Sequence, residues 1–89
     1  MKEPYLQVTF RHGRPFAAYY YLPREAGDEC AKTRRIEPGM VIDFAADGRP
    51  IGIEITAPSK LLLEDFNRVL RELGLPTVTD DDLAPLHAA

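Results

Sequence analysis

An α+β fold, built as an antiparallel β-meander of four or five strands with C-terminal helices packed on one face, is what this 89-residue sequence predicts. Three observations lead there. Apolar and polar residues alternate through most of residues 1–56, an Asp47-Gly48 turn signal divides two of the alternating runs, and from residue 57 onward the apolar period lengthens to that of a helix. One domain is expected over 1–89, with 1–56 as the sheet and 57–89 as its helical part.

The first strand runs from Tyr5 to Arg11 with Leu6, Val8 and Phe10 on one side, and His12-Gly13-Arg14-Pro15 turns the chain. The return strand, Phe16 to Leu22, groups Phe16, Ala18, Tyr20 and Leu22 on one face and Ala17, Tyr19 and Tyr21 on the other. Pro23 to Asp28 reads as a surface loop. Glu29 to Glu37 follows as a polar third strand whose Lys32, Arg34 and Arg35 suit the edge of a sheet, where charge deters unwanted pairing.

The hairpin from Met40 to Ile55 is the clearest element. Met40, Ile42 and Phe44 share a face before the turn, and Ile51, Ile53 and Ile55 share one after it. Pairings whose residue numbers sum to an odd total bring these sets together. A two-residue loop, with Phe44 opposite Ile51, and a four-residue loop, with Phe44 opposite Arg49, both satisfy that condition. The opposite face carries Val41, Asp43, Gly52 and Glu54. In the two-residue register Asp43 and Glu54 are diagonal neighbours roughly 7–8 Å apart at Cα, within reach of one cation or one arginine.

The main helix is expected from about Leu62 to Leu73, with Leu63, Phe66, Val69, Leu70 and Leu73 on one stripe. Glu64 and Asp65 near its start and Arg71 near its end complement the helix dipole, and Gly74 followed by Pro76 stops it. Pro58-Ser59-Lys60 either starts this helix or makes a separate turn. Thr79 with Asp82 three residues on predicts a capped short helix ending near Leu86. The apolar face is then built from Leu6, Val8, Phe10, Tyr20, Leu22, Met40, Ile42, Phe44, Ile51, Ile53 and Ile55.

The segment Glu37-Pro38-Gly39-Met40-Val41-Ile42-Asp43-Phe44, with Asp47-Gly48-Arg49 and Gly52-Ile53-Glu54-Ile55, resembles the YuzE-like family of small bacterial domains of unknown function. Ala17-Ala18-Tyr19-Tyr20-Tyr21-Leu22 and Ala31-Lys32-Thr33-Arg34 extend the likeness to roughly residues 15–60. That family usually carries an acidic residue near the start of its tyrosine-bearing strand, where this chain has Phe16 and Ala17. The resemblance implies a compact β-rich bacterial domain and no particular activity.

Composition narrows the function classes further. The chain is 45% hydrophobic with a net charge of −3, which is not the basic footprint of a dedicated nucleic-acid binder. No apolar run approaches the ~20 residues of a membrane span, and the N-terminal residues are polar where a signal peptide needs its apolar region. The lone Cys30 has no partner for an internal disulfide, in keeping with a reducing cytoplasm. The expected site is a face rather than a catalytic constellation: Asp43, Gly52, Glu54, Arg34, Arg35, Tyr19 and Tyr21, with no catalytic residue, metal or cofactor assigned. The leading reading is a non-enzymatic protein-interaction or antitoxin-like regulatory module that binds a small protein partner. The alternatives are a small metal- or anion-binding enzyme using Asp43 and Glu54, and a weak nucleic-acid binder using Lys32, Arg34, Arg35 and the tyrosines. Nucleic acid is disfavoured, because alternation keeps the three consecutive tyrosine rings off a common face. A homodimer is expected, since a chain this short has a thin core and leaves Tyr19, Tyr21 and Val41 for a second subunit.

Overall fold

A computed structural model describes residues 3–36 and 39–87. Five strands, β1 (Tyr5–Arg11), β2 (Arg14–Tyr21), β3 (Lys32–Ile36), β4 (Met40–Phe44) and β5 (Pro50–Ile55), precede a 3-10 turn at Pro58–Lys60, helix α1 (Leu63–Glu72), helix α2 (Asp80–Leu83) and a second 3-10 turn at Ala84–His87. Glu37, expected to end β3, and Pro38 lie outside the described residues.

Every neighbouring pair of strands is antiparallel, but the order is β1-β2-β5-β4-β3, so the sheet is not the simple meander expected from the sequence. The reason lies in the strands' composition. β3 is exposed from Lys32 to Arg35 and belongs at an edge, whereas the fully buried Ile53 and Ile55 of β5 need a neighbour on each side. The chain from Leu22 to Ala31 therefore carries the backbone past β5 and β4 to the far edge.

Both hairpins use a bulge to keep their apolar faces in register. In β4–β5 the Ala45 N–H donates to the Arg49 carbonyl at 2.8 Å and the Gly48 N–H to the Ala45 carbonyl at 2.9 Å, closing a three-residue loop of Ala46, Asp47 and Gly48. Gly48 has φ +93°, the left-handed residue that such loops require. Neither loop length expected from the pattern is thus realised. Three residues alone would give an even register and turn one apolar set outward. The bulge corrects this: Phe44 pairs with Pro50 and Asp43 with Gly52, leaving Ile51 as the additional residue.

In β1–β2, His12 (φ 53°) and Gly13 (φ 76°) form a two-residue turn with both residues left-handed, and Arg11 pairs with Arg14. Phe10 pairs with Pro15 but Thr9 pairs with Ala17, so Phe16 is the bulged residue. Phe16 and Phe10, both expected on the apolar face, are instead 55% and 50% exposed. This end of the hairpin runs beyond β5, whose pairing with β2 begins only at Ala18 opposite Ile55.

One apolar cluster joins Ala18, Tyr20 and Leu22 of the β2 arm, Met40 and Ile42 of β4, and Ile53 and Ile55 of β5 to Leu61, Phe66, Val69, Leu70, Leu83 and Leu86. The Phe66 ring meets Tyr20 edge-on at 5.1 Å and 84°. Ile51 is buried but stands outside this cluster, re-aimed by its bulge.

The helical segments are short and closed by local bonds. After α1, Gly74 (φ 73°) donates to the Arg71 carbonyl at 3.0 Å and Leu75 to the Leu70 carbonyl at 2.8 Å, a Schellman stop. Asn67 then holds the following segment: its Nδ2 donates to the Val78 carbonyl at 3.0 Å and its Oδ1 accepts from the Val78 N–H at 2.9 Å. Thr79 and Asp82 cap α2 reciprocally. Pro58-Ser59-Lys60 makes its own turn rather than starting α1.

Candidate functional site

Directly paired residues of a sheet share a face, so the register assigns the face opposite the apolar cluster without ambiguity. One cross-strand line runs Gln7, Tyr19, Glu54, Val41, Arg35, and the next runs Tyr5, Tyr21, Gly52, Asp43, Thr33. Six of the seven expected site residues fall on these lines. Arg34 does not: it pairs with the fully buried Ile42, which places it on the other face at the sheet's margin. Asp43 and Glu54 are diagonal neighbours, as the two-residue register predicts, because the bulge restores that register over this part of the hairpin.

The centre of the face is Tyr19. Its ring passes over the buried Gly52, where a Cβ would overlap the ring and hydroxyl, and its hydroxyl donates to Asp43 Oδ2 at 2.7 Å. Glycine is needed here for the close approach of a side chain rather than for an unusual backbone. Burial, reinforced by the bond to Asp43 and opposed by a bond to Arg24, pushes the Tyr19 phenol up to about 12. At neutral pH Tyr19 thus stays protonated and holds Asp43 as acceptor.

Around Tyr19 the rings pack on one another. Tyr21 stacks on Tyr5 at 4.5 Å and 14° and meets Tyr19 edge-on at 4.6 Å and 65°. Its hydroxyl donates to Gln7 Oε1 at 3.0 Å. The Arg24 guanidinium lies 5.4 Å from the Tyr21 centroid and also donates to the Ile51 carbonyl. Three tyrosines therefore do share a face, Tyr5 taking the place that Tyr20 has in the sequence triplet.

Tyr5, Gln7 and Arg24 were not among the expected site residues. Tyr5 and Gln7 alternate with Leu6 and Val8, so the signal was present, but the register needed to use it depends on the Phe16 bulge. Arg24 lies in a loop and carried no periodic signal.

A second polar cluster ties the loop before β3 to the β4–β5 turn. Arg49 pairs with Asp28 at 2.9 Å and with Asp47 at 2.6 Å. These bonds hold both carboxyls below the usual aspartate range and raise the guanidinium in turn. A shallow cleft of about 370 Å³ beside them includes the exposed Cys30, Ala31 and Ala46. Among the described residues, no group of three or more His, Cys, Asp or Glu side chains is placed to hold a metal ion. No helix among them is long and apolar enough to cross a membrane.

The fold and this face define a small α+β domain with one sheet face covered by apolar packing and the other open, aromatic and polar. A family model described as a protein of unknown function (DUF2283) matches residues 17–58, from the start of the tyrosine segment to the turn after β5. The chain is similar to that family over strands β2 to β5, which contain most of the open face but neither β1 nor the helices. No curated protein and no solved structure matches the chain.

Proposed function

We propose that this chain is a non-enzymatic interaction module, antitoxin-like in that its open edge takes up an extended segment of a small acidic partner protein in a bacterial cytoplasm. The observation that carries the reading is strand β3. It forms one edge of the sheet, it is exposed from Lys32 to Arg35, and among the described residues no ion pair neutralises Lys32, Arg34 or Arg35. An edge strand offers unpaired backbone groups to an added strand, and three cations on its two faces favour an added strand that carries Asp or Glu. The bacterial setting follows from the sequence resemblance to YuzE-like domains alone, and the family model that matches, described as a protein of unknown function, adds no activity.

The enzymatic alternative has less support, because Asp43 is bonded to Tyr19 and no longer stands free beside Glu54 as a paired carboxylate. Affinity capture from the native host at native expression tests the proposal. A stoichiometric partner is expected, lost when Lys32 and Arg34 are both reversed to Glu in a chain that still folds. Recovery of no partner, together with turnover of a metabolite by the purified protein, overturns it.

A further inference from the structure

The open face has a self-complementary charge pattern. Arg35, Val41 and Glu54 stand side by side on β3, β4 and β5, with the cation and the anion flanking an apolar residue on opposite sides. Neighbouring strands lie about 4.8 Å apart, so Arg35 and Glu54 are about 10 Å apart across Val41. Arg35 and Glu54 are both exposed, Val41 is half-buried, and no ion pair within the chain engages either charge among the described residues.

We propose that a second copy of this chain covers the face, about a two-fold axis lying between the two sheets and parallel to β4. Rotation about that axis exchanges the flanks of Val41. Arg35 of each subunit is then set over Glu54 of the other, and the two Val41 side chains meet at the axis. The alternative axis, perpendicular to the strands, would set Arg35 over Arg35 and Glu54 over Glu54, which like-charge repulsion disfavours.

Two further features of the face agree with the first axis. The Tyr19 hydroxyl, which lies over Gly52 on β5, holds the Asp43 carboxylate on the β5 side of the axis, so the two Asp43 groups are not driven together. Thr33 pairs with Asp43 on the line next to Arg35 and Val41, and the rotation sets the hydroxyl-bearing Thr33 of one subunit above the Tyr19 ring that covers Gly52 of the other, beside that carboxylate. Meanwhile β3 of the second copy comes to rest above β5, over the Tyr19 ring where it crosses Gly52, while Tyr21 on β2 stands outside its edge. A face-to-face pair with three overlapping strands is a small interface.

This inference concerns the side-chain face and not the backbone edge of β3, so it stands or falls separately from the proposed partner. Sedimentation velocity of the purified chain alone, at tens of micromolar and low salt, tests it. The unmodified chain is expected to sediment as a dimer. Arg35→Glu and Glu54→Arg should each give a monomer with an unchanged circular dichroism spectrum, because each sets like charges across the axis at exposed positions. The double variant restores opposite charges and should restore the dimer. A monomeric unmodified chain, single variants that remain dimeric, or a double variant that remains monomeric would each overturn the proposal.

Discussion

At the scale of single residues, Gly52 and Tyr19 form one unit. Gly52→Ala puts a methyl group where the Tyr19 ring lies, and the ring must leave Asp43 to make room. A loss of about 1–3 kcal/mol is expected from such overpacking. With the ring displaced, the phenol should also titrate closer to its ordinary value, which an ultraviolet phenolate titration reads directly. Tyr19→Phe removes only the hydroxyl bond and should cost about 0.5–1.5 kcal/mol in a denaturant series. The same residue gives the fold an alkaline limit. Folded Tyr19 is pushed up to about 12 against an unfolded value of about 10. The folded state therefore holds its proton where the unfolded state has lost it, and the stabilisation is complete below about pH 10 and fades as pH rises toward 12. Melting temperatures taken across that window should fall, and should fall less in Tyr19→Phe.

At the scale of elements, turns and caps carry stability that periodicity does not reveal. His12 occupies a left-handed position that asparagine tolerates better in a two-residue hairpin turn. His12→Asn should therefore raise stability by about 0.5 kcal/mol. Thr79→Ala removes the capping pair with Asp82 and should cost about 0.5–2 kcal/mol. Asn67→Ala breaks both bonds to Val78 and should cost about 1–3 kcal/mol, with faster amide exchange at Val78 as its local sign. The strands, the Thr79 cap and the Gly74 stop were legible because each depends on neighbours within a few residues. The Asn67–Val78 clasp, the two bulges and the placement of β5 beside β2 were not. Each depends on which distant segment lies alongside, and alternation alone leaves that open. The same limit applied to the site: Asp43 and Glu54 were found from one hairpin, whereas the Tyr19–Asp43 bond joins residues 24 positions apart.

At the scale of the whole molecule, a sheet covered on one side by apolar packing leaves its other side open, and the proposed second copy packs there. Val41→Lys places an ammonium group at the centre of the open face, on the side away from the apolar cluster. A folded but monomeric species is expected, visible in sedimentation as a lower mass at unchanged helical and strand content. The loop before β3 is fixed by the Asp28–Arg49–Asp47 cluster, and both carboxyls titrate below their ordinary value in the folded state. That contribution is present above the normal aspartate range and is lost as pH falls through the depressed values. Carboxyl carbon shifts followed by NMR should show both groups ionised at a pH where free aspartate is half protonated. Arg49→Met should raise both toward the ordinary range, short of it where the Glu25 and Arg49 backbone N–H bonds remain.

The alternation of the two faces has an evolutionary consequence. Away from the bulges at Phe16 and Ile51, the even positions of β1, β2 and β4 face the apolar cluster and the odd positions face outward, and in β5 the parity is reversed. Packing and surface chemistry are thus written on alternate letters of the same text. Drift at the outward letters can change what the open face presents while leaving intact the letters that keep it folded. A saturating mutational scan scored for abundance should return a two-residue rhythm along each strand, interrupted at the two bulges and at Gly52, where one letter serves both purposes.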